Sequence, residues 1–231
     1  MNHVKVTIFG SYNKSGIGDK AILISLLDLL FRHKEFDLTI DVLTFGKNSI
    51  TTDIEDFPWK KRVNQISIIE NMGNLKESKS FINKKTIFDK LPSFLRTLSG
   101  YIVFKSIIAP YNYKDSDGLI IGGGNLLMDM YPSWPGRPFL IQKEFIKNQK
   151  PTYILGVGAF PINNFISSHL LKRIVQKSKN IFVRDRDTER FVKNNWDNKV
   201  KWAPDLAFSF PIKNINKRSN IYIELNYFLS I

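Results

Sequence analysis

Short apolar runs of strand character alternate along this chain with longer stretches of helical period. Val4 to Phe9 reads as a strand ending at Gly10, and a polar, glycine-containing loop from Ser11 to Gly18 follows. Asp19 to Phe31 is too long for a strand and apolar on most sides, which predicts a buried helix. Leu38 to Phe45 returns to strand character and closes at Gly46. Strand, helix and strand joined by short links form the βαβ unit of a parallel sheet.

After an irregular basic stretch, Phe81 to Ile108 has helical character, interrupted near Pro92 and around Gly100. Gly118 to Ile121 is a short apolar strand running into Gly122-Gly123-Gly124-Asn125. Helical patterns at Phe139–Asn148, Phe165–Lys179 and Asp187–Asn194 then alternate with strand patterns at Thr152–Gly158, Asn180–Val183 and Val200–Trp202. Phe210 to Ser219 is linker-like, and Asn220 to Leu225 looks like a late strand. The predicted fold class is α/β, a doubly wound, mostly parallel Rossmann-like sheet. Such sheets bind ligands outside the carboxyl ends of their strands. The glycines, acids and arginines that stand out in this sequence all fall there.

Composition narrows the options. A chain of 231 residues can bury one large core, and 43% hydrophobic with 24% charged residues describes a globular protein. No apolar run approaches the roughly 18 residues of a bilayer span, and the start MNHVKVTIFG lacks the apolar region of a signal peptide. A cytoplasmic location is expected. The absence of Cys removes disulfides and thiolate metal sites, and three widely separated histidines make a zinc site improbable. No metal is therefore expected. The net charge is +13, and Lys60 to Lys105 holds ten Lys/Arg against three acids. That run is either a solvated face or a surface for an anionic partner such as a membrane. No RNP motif, zinc finger or basic zipper accompanies it, so nucleic acid is not an expected partner.

The loops carry the candidate chemistry. Gly16-Ile17-Gly18-Asp19 resembles half of a dinucleotide fingerprint, but the third glycine is missing and Asp19 would repel a phosphate, which disfavours NAD. Asp19 is either a helix cap or a carboxylate that binds a polyol or takes a proton from one. Three consecutive glycines at 122–124 fit a close approach of backbone to a ligand, with Asn125 and Asp129 supplying polar groups on the next turn. Gly156 and Gly158 lie in the following strand. Arg184-Asp185-Arg186-Asp187-Thr188 reads either as solvated alternating charge or as an arginine held by a neighbouring aspartate to face a carboxylate or phosphate. Asp205 follows Pro204 on a strand exit.

Taken together and in order, these segments resemble the polysaccharide pyruvyl transferase family. The matching pieces are Gly18-Asp19-Lys20-Ala21-Ile22-Leu23, Ser116 to Asp129, Gly156 to Pro161, Phe182 to Thr188, and Ala203 to Phe208. The resemblance implies a GT-B-like fold of two Rossmann-like domains, the first spanning residues 1–210, with 211–231 a linker and the first strand of the second. It also implies transfer of a pyruvyl group from phosphoenolpyruvate to sugar hydroxyls of a surface polysaccharide or cell-wall polymer, as a ketal, with no cofactor beyond the donor. Arg184 matches the arginine of the family's RDxxS/T motif and is expected to contact the donor. Asp19 is expected on the acceptor side, as a base. Gly18, Gly123, Gly124, Asn125, Asp129, Gly158 and Asp205 are expected to shape the pocket.

Two departures qualify the resemblance. Gly16 stands where the family often has Asn, and family members commonly continue into a second domain beyond the point where this chain stops, Ile231. That half would hold further donor contacts and the general acid. A chain without it would be inactive alone, or would act as a homo-oligomer or with a complementing second polypeptide. The expected acceptor is a sugar or lipid-linked oligosaccharide, met by a cytoplasmic protein that could sit peripherally at the inner face of an anionic membrane. Two rival functions remain at this stage: a nucleotide-sugar glycosyltransferase half-domain, and a non-catalytic basic module binding anionic lipid or a partner.

Overall fold

The computed structural model describes residues 2–12, 16–44, 54–67, 92–108, 113–131 and 134–211. Its centre is a seven-stranded sheet of β1 (His3–Phe9), β2 (Asp37–Thr44), β3 (Val63–Ser67), β4 (Gly118–Gly122), β5 (Thr152–Val157), β6 (Asn180–Val183) and β7 (Lys201–Trp202). The spatial order is β3-β2-β1-β4-β5-β6-β7 and every neighbouring pair is parallel. Among the described residues, five α-helices accompany the strands: α1 (Ile17–Arg32), α2 (Ser93–Ile108), α3 (Gly136–Lys147), α4 (Phe165–Lys177) and α5 (Arg186–Asn195).

The period of two along each strand divides the core into two layers. Ile8, Ile40, Val42 and Ile120 point to one face, where α1 and Leu206 cover them. Phe9, Leu43, Leu119 and Ile121 point to the other, under Phe104 of α2, Leu140 and Phe145 of α3, Leu171 and Ile174 of α4, and Val192 of α5. Register aligns these rows, pairing Ile8 with Val42 on one side and with Ile120 on the other. β4 is buried along its whole length, which is why it reads as a continuous apolar run, whereas β1 and β2 keep polar residues such as Lys5 and Asp41 between their apolar ones.

The structure departs from the sequence expectation in two places. Val63–Ser67, within the basic stretch, is a strand pairing with β2. The helix starting at Ser93 runs through Gly100 to Ile108 without a break, because a single glycine weakens a helix by only about 1 kcal/mol and packing against α3 and α4 outweighs that. Pro92 does mark its start: the Pro92 carbonyl accepts from the N–H groups of Leu95 and Arg96. The expected helical stretch 81–91, the linker beyond Pro211 and the strand 220–225 lie outside the described residues, as do five of the ten Lys/Arg of the basic run. Among the described residues, no helix is long and apolar enough to cross a membrane, and no group of three or more His, Cys, Asp or Glu side chains is placed to hold a metal.

β1 and β4 lie side by side at the point where the strand order reverses. Sheets of this kind bind ligands at the carboxyl ends of such strands, and there the start of α1 meets the segments that follow β4, β5, β6 and β7.

Candidate functional site

Asp19 reaches this end of the sheet from α1. The helix opens at Gly16, which has no side chain to cap it, and the Asp19 carboxylate stands in the first turn beside Gly16, 2.9 Å from where a Cβ of that glycine would be. Partial burial pushes its carboxyl above the usual aspartate range, and the positive charge of Arg184 opposes that shift only in part. Gly18, one residue earlier, is exposed, and a Cβ there would meet nothing within 4 Å.

The glycines after β4 are held against the next strand by their own backbone. Gly123 N–H donates to Leu155 O at 3.1 Å, and Gly158 N–H donates to Gly124 O at 2.9 Å. Gly123 has φ +76°, and a Cβ on it would stand 2.5 Å from Ile22 Cγ2 of α1, so this position demands glycine twice over. Gly124 borders Asp19 directly: a Cβ there would lie 3.6 Å from Asp19 Oδ1. At Gly158 the place of a side chain is taken by Asn125 Oδ1 and by Arg184 Nε, the latter 2.9 Å from where a Cβ would be.

Arg184 is the cation of this cluster. It leaves β6 with its backbone N–H bonded to Val157 O. Its guanidinium donates to Asn125 Oδ1 at 2.7 Å and to Asp205 Oδ2 at 3.3 Å. Asp205 is itself fixed, accepting from Ala207 N–H at 2.9 Å at the start of a short 3-10 turn. An arginine gripped on one edge of its planar fork keeps a defined orientation for an anion on the other. The expected neighbouring aspartate does not hold it. Asp185 caps α5 instead, accepting from the Thr188 N–H at 2.7 Å and hydroxyl at 2.9 Å, while Thr188 Oγ1 accepts from Ala159 N–H at 2.9 Å. The RDxxT segment thus ties the start of α5 to the loop after β5.

Asp19, Gly123, Gly124, Asn125, Gly158, Arg184 and Asp205 therefore come together, and Gly18 stands beside them on α1. Asp129 does not join them. It is buried, and its carboxylate accepts five hydrogen bonds of 2.8–3.0 Å from the backbone and side-chain amides of Asn163 and Asn164. Asn164 in turn caps α4. Asp129 ties the segment after β4 to the start of α4.

Tyr12 is a contributor that sequence reasoning missed. Its hydroxyl donates to Gly122 O at 2.7 Å, its ring lies 3.3 Å from where a Gly123 side chain would be, and burial with the nearby Asp19 charge pushes its own ionisation upward. An aromatic residue two positions after the glycine that ends β1 was the available signal, and it is a faint one.

An all-parallel sheet with helices on both faces and polar loops gathered at the strand ends defines a Rossmann-like α/β protein. A model of the polysaccharide pyruvyl transferase family matches residues 17–229, and this chain belongs to that family. No curated protein matches it in sequence. Its fold is similar to a crystal structure of UDP-N-acetylglucosamine 2-epimerase, with a TM-score of 0.51 and 10% identity over 96% of this chain and 53% of that one. It also resembles Phytolacca americana UGT2, solved with UDP-2fluoro-glucose and pterostilbene, with a TM-score of 0.40 and 13% identity over 88% and 54% of the two chains. The chain spans about half the length of each of these structures.

Proposed function

We propose that this chain acts in the transfer of a pyruvyl group from phosphoenolpyruvate to hydroxyls of a saccharide destined for a surface polysaccharide or cell-wall polymer. Arg184 carries the proposal: a half-buried guanidinium oriented by Asn125 and Asp205, at the strand ends beside Asp19, in a chain of the pyruvyl transferase family. Phosphoenolpyruvate presents a carboxylate and a phosphate, the two groups a planar fork of donors suits best.

In the transfer, a sugar hydroxyl adds to the central carbon of the enol while a proton reaches its methylene carbon. Phosphate then leaves, and a second hydroxyl closes the ketal. Asp19 is the group positioned to take the hydroxyl proton, and a carboxyl held above its ordinary range is the stronger base for it. Arg184 neutralises the donor's charge as the phosphate bond weakens.

The test pairs binding with chemistry. Phosphoenolpyruvate should raise the thermal midpoint of the chain, and UDP should not. Incubation with phosphoenolpyruvate and a saccharide, free or lipid-linked, should release phosphate and give the ketal methyl signal by NMR. Stabilisation by UDP and not by phosphoenolpyruvate would replace the proposal with a nucleotide-sugar transferase.

A further inference from the structure

Three helices, α2, α3 and α4, lie side by side on one face of the sheet, and their charge is one-sided. Together they contain eight Lys/Arg and a single acid, Glu144; Arg96, Arg137 and Lys172 are partly buried, and Lys105, Lys143, Lys147, Arg173 and Lys177 are exposed. By contrast α1 balances Asp19 and Asp28 with Lys20 and Arg32.

The same face leaves large apolar side chains in solvent. Phe165 is 74% exposed, Ile102 60% and Leu98 46%, and Phe94 and Leu95 are also uncovered. Phe94, Leu98 and Ile102 follow one another at four-residue spacing along one side of α2. Phe94 and Phe165 have ring centroids 6.3 Å apart, and Leu98 borders a groove of about 270 Å³ between α2 and α4. Tyr101, Phe139, Ile166 and Leu170 line that groove with His169 and Arg173.

We propose that the α2–α4 face docks on an anionic lipid bilayer, with Phe94, Leu98, Ile102 and Phe165 entering the headgroup boundary and Arg173 among the cations meeting lipid phosphates. Charge decides the occupant. A second copy of the same face would set cation against cation, whereas a bilayer with acidic headgroups supplies both the apolar layer and the negative charge that this combination requires. The proposal is independent of the donor chosen above. It adds that the acceptor meets the protein at a membrane, as a lipid-carried saccharide would.

The test is co-sedimentation of the intact chain with vesicles of phosphatidylcholine alone, or containing about one-third phosphatidylglycerol. Binding is expected to the acidic vesicles only, and should weaken as salt is raised to about 0.5 M. The double variant Leu98→Glu/Ile102→Glu and the single variant Arg173→Glu should each lose on the order of tenfold in binding. Phe36→Glu, an exposed apolar position in the turn before β2, should bind as the parent does. Thermal melts establish that the variants fold, and their stabilisation by phosphoenolpyruvate, read separately, should be unchanged. The proposal is overturned if the parent stays in solution, if it pellets equally with neutral vesicles, or if the face variants bind like the parent. It is also overturned if light scattering shows a dimer that Leu98→Glu dissolves, since the occupant would then be a second copy.

Discussion

Asp19 and Gly18 sit on the same helical turn and carry opposite expectations. Burial holds the Asp19 carboxyl above its ordinary range, so the folded protein binds this proton more readily than the unfolded chain does. The sign follows: ionising Asp19 costs stability, and that cost appears as pH rises through the unfolded and then the folded value. Asp19→Asn should therefore melt higher than the parent at neutral pH, lose that advantage below the ordinary aspartate range, and form no ketal. The parent's kcat/KM should rise with pH through a midpoint above that range, as measured in a pH–rate profile. Gly18→Ala should gain about 0.5–1 kcal/mol in a denaturant titration, because it improves the helix and meets no atom; weaker saccharide binding alongside that gain would show that the missing side chain makes room for the acceptor. Arg184→Lys keeps the charge and loses the fork to Asn125 and Asp205. Its affinity for phosphoenolpyruvate by calorimetry should fall about tenfold to a hundredfold with little change in the melt.

Loops and helix ends hold the site at the scale of elements, and they can be broken separately from its chemistry. Gly123→Ala combines an unfavourable φ with a Cβ pressed against Ile22, and should cost about 1–3 kcal/mol of unfolding free energy. Asp129→Asn should cost about 2 kcal/mol or more by disrupting the five bonds that fix Asn163 and Asn164, while leaving phosphoenolpyruvate affinity nearly unchanged. These elements were unequally legible. β4 announces itself because it is buried along its whole length, and β1 and β5 through Val4, Val6, Ile8 and Phe9 and through Tyr153, Ile154, Leu155 and Val157. β3 does not: Val63-Asn64-Gln65-Ile66-Ser67 is a short edge strand behind Lys60-Lys61-Arg62, with too little apolar surface to signal a period. Asp129 had the right residue type in the right loop, and only its partners 34 and 35 positions away reveal it as a clamp.

Across the whole molecule, the order of strands and helices was enough to place the polar residues at one end of a parallel sheet. Their mutual distances were not readable, because segments from residue 19 to residue 205 meet only through the order β1-β4-β5-β6-β7. The grip of Asn125 and Asp205 on Arg184 spans 59 and 21 positions, and no local pattern encodes it. The face of α2, α3 and α4 was equally hidden, since its charge imbalance emerges only when three separated helices become neighbours. The main-chain lacing of the glycine loop to β5 through Gly123, Gly124 and Gly158 reaches further still. A cradle stitched from amides and carbonyls is already assembled before any guest arrives. Stopped-flow traces of donor association should then be single exponentials whose rate climbs linearly with concentration, without the plateau that a slow isomerisation would impose.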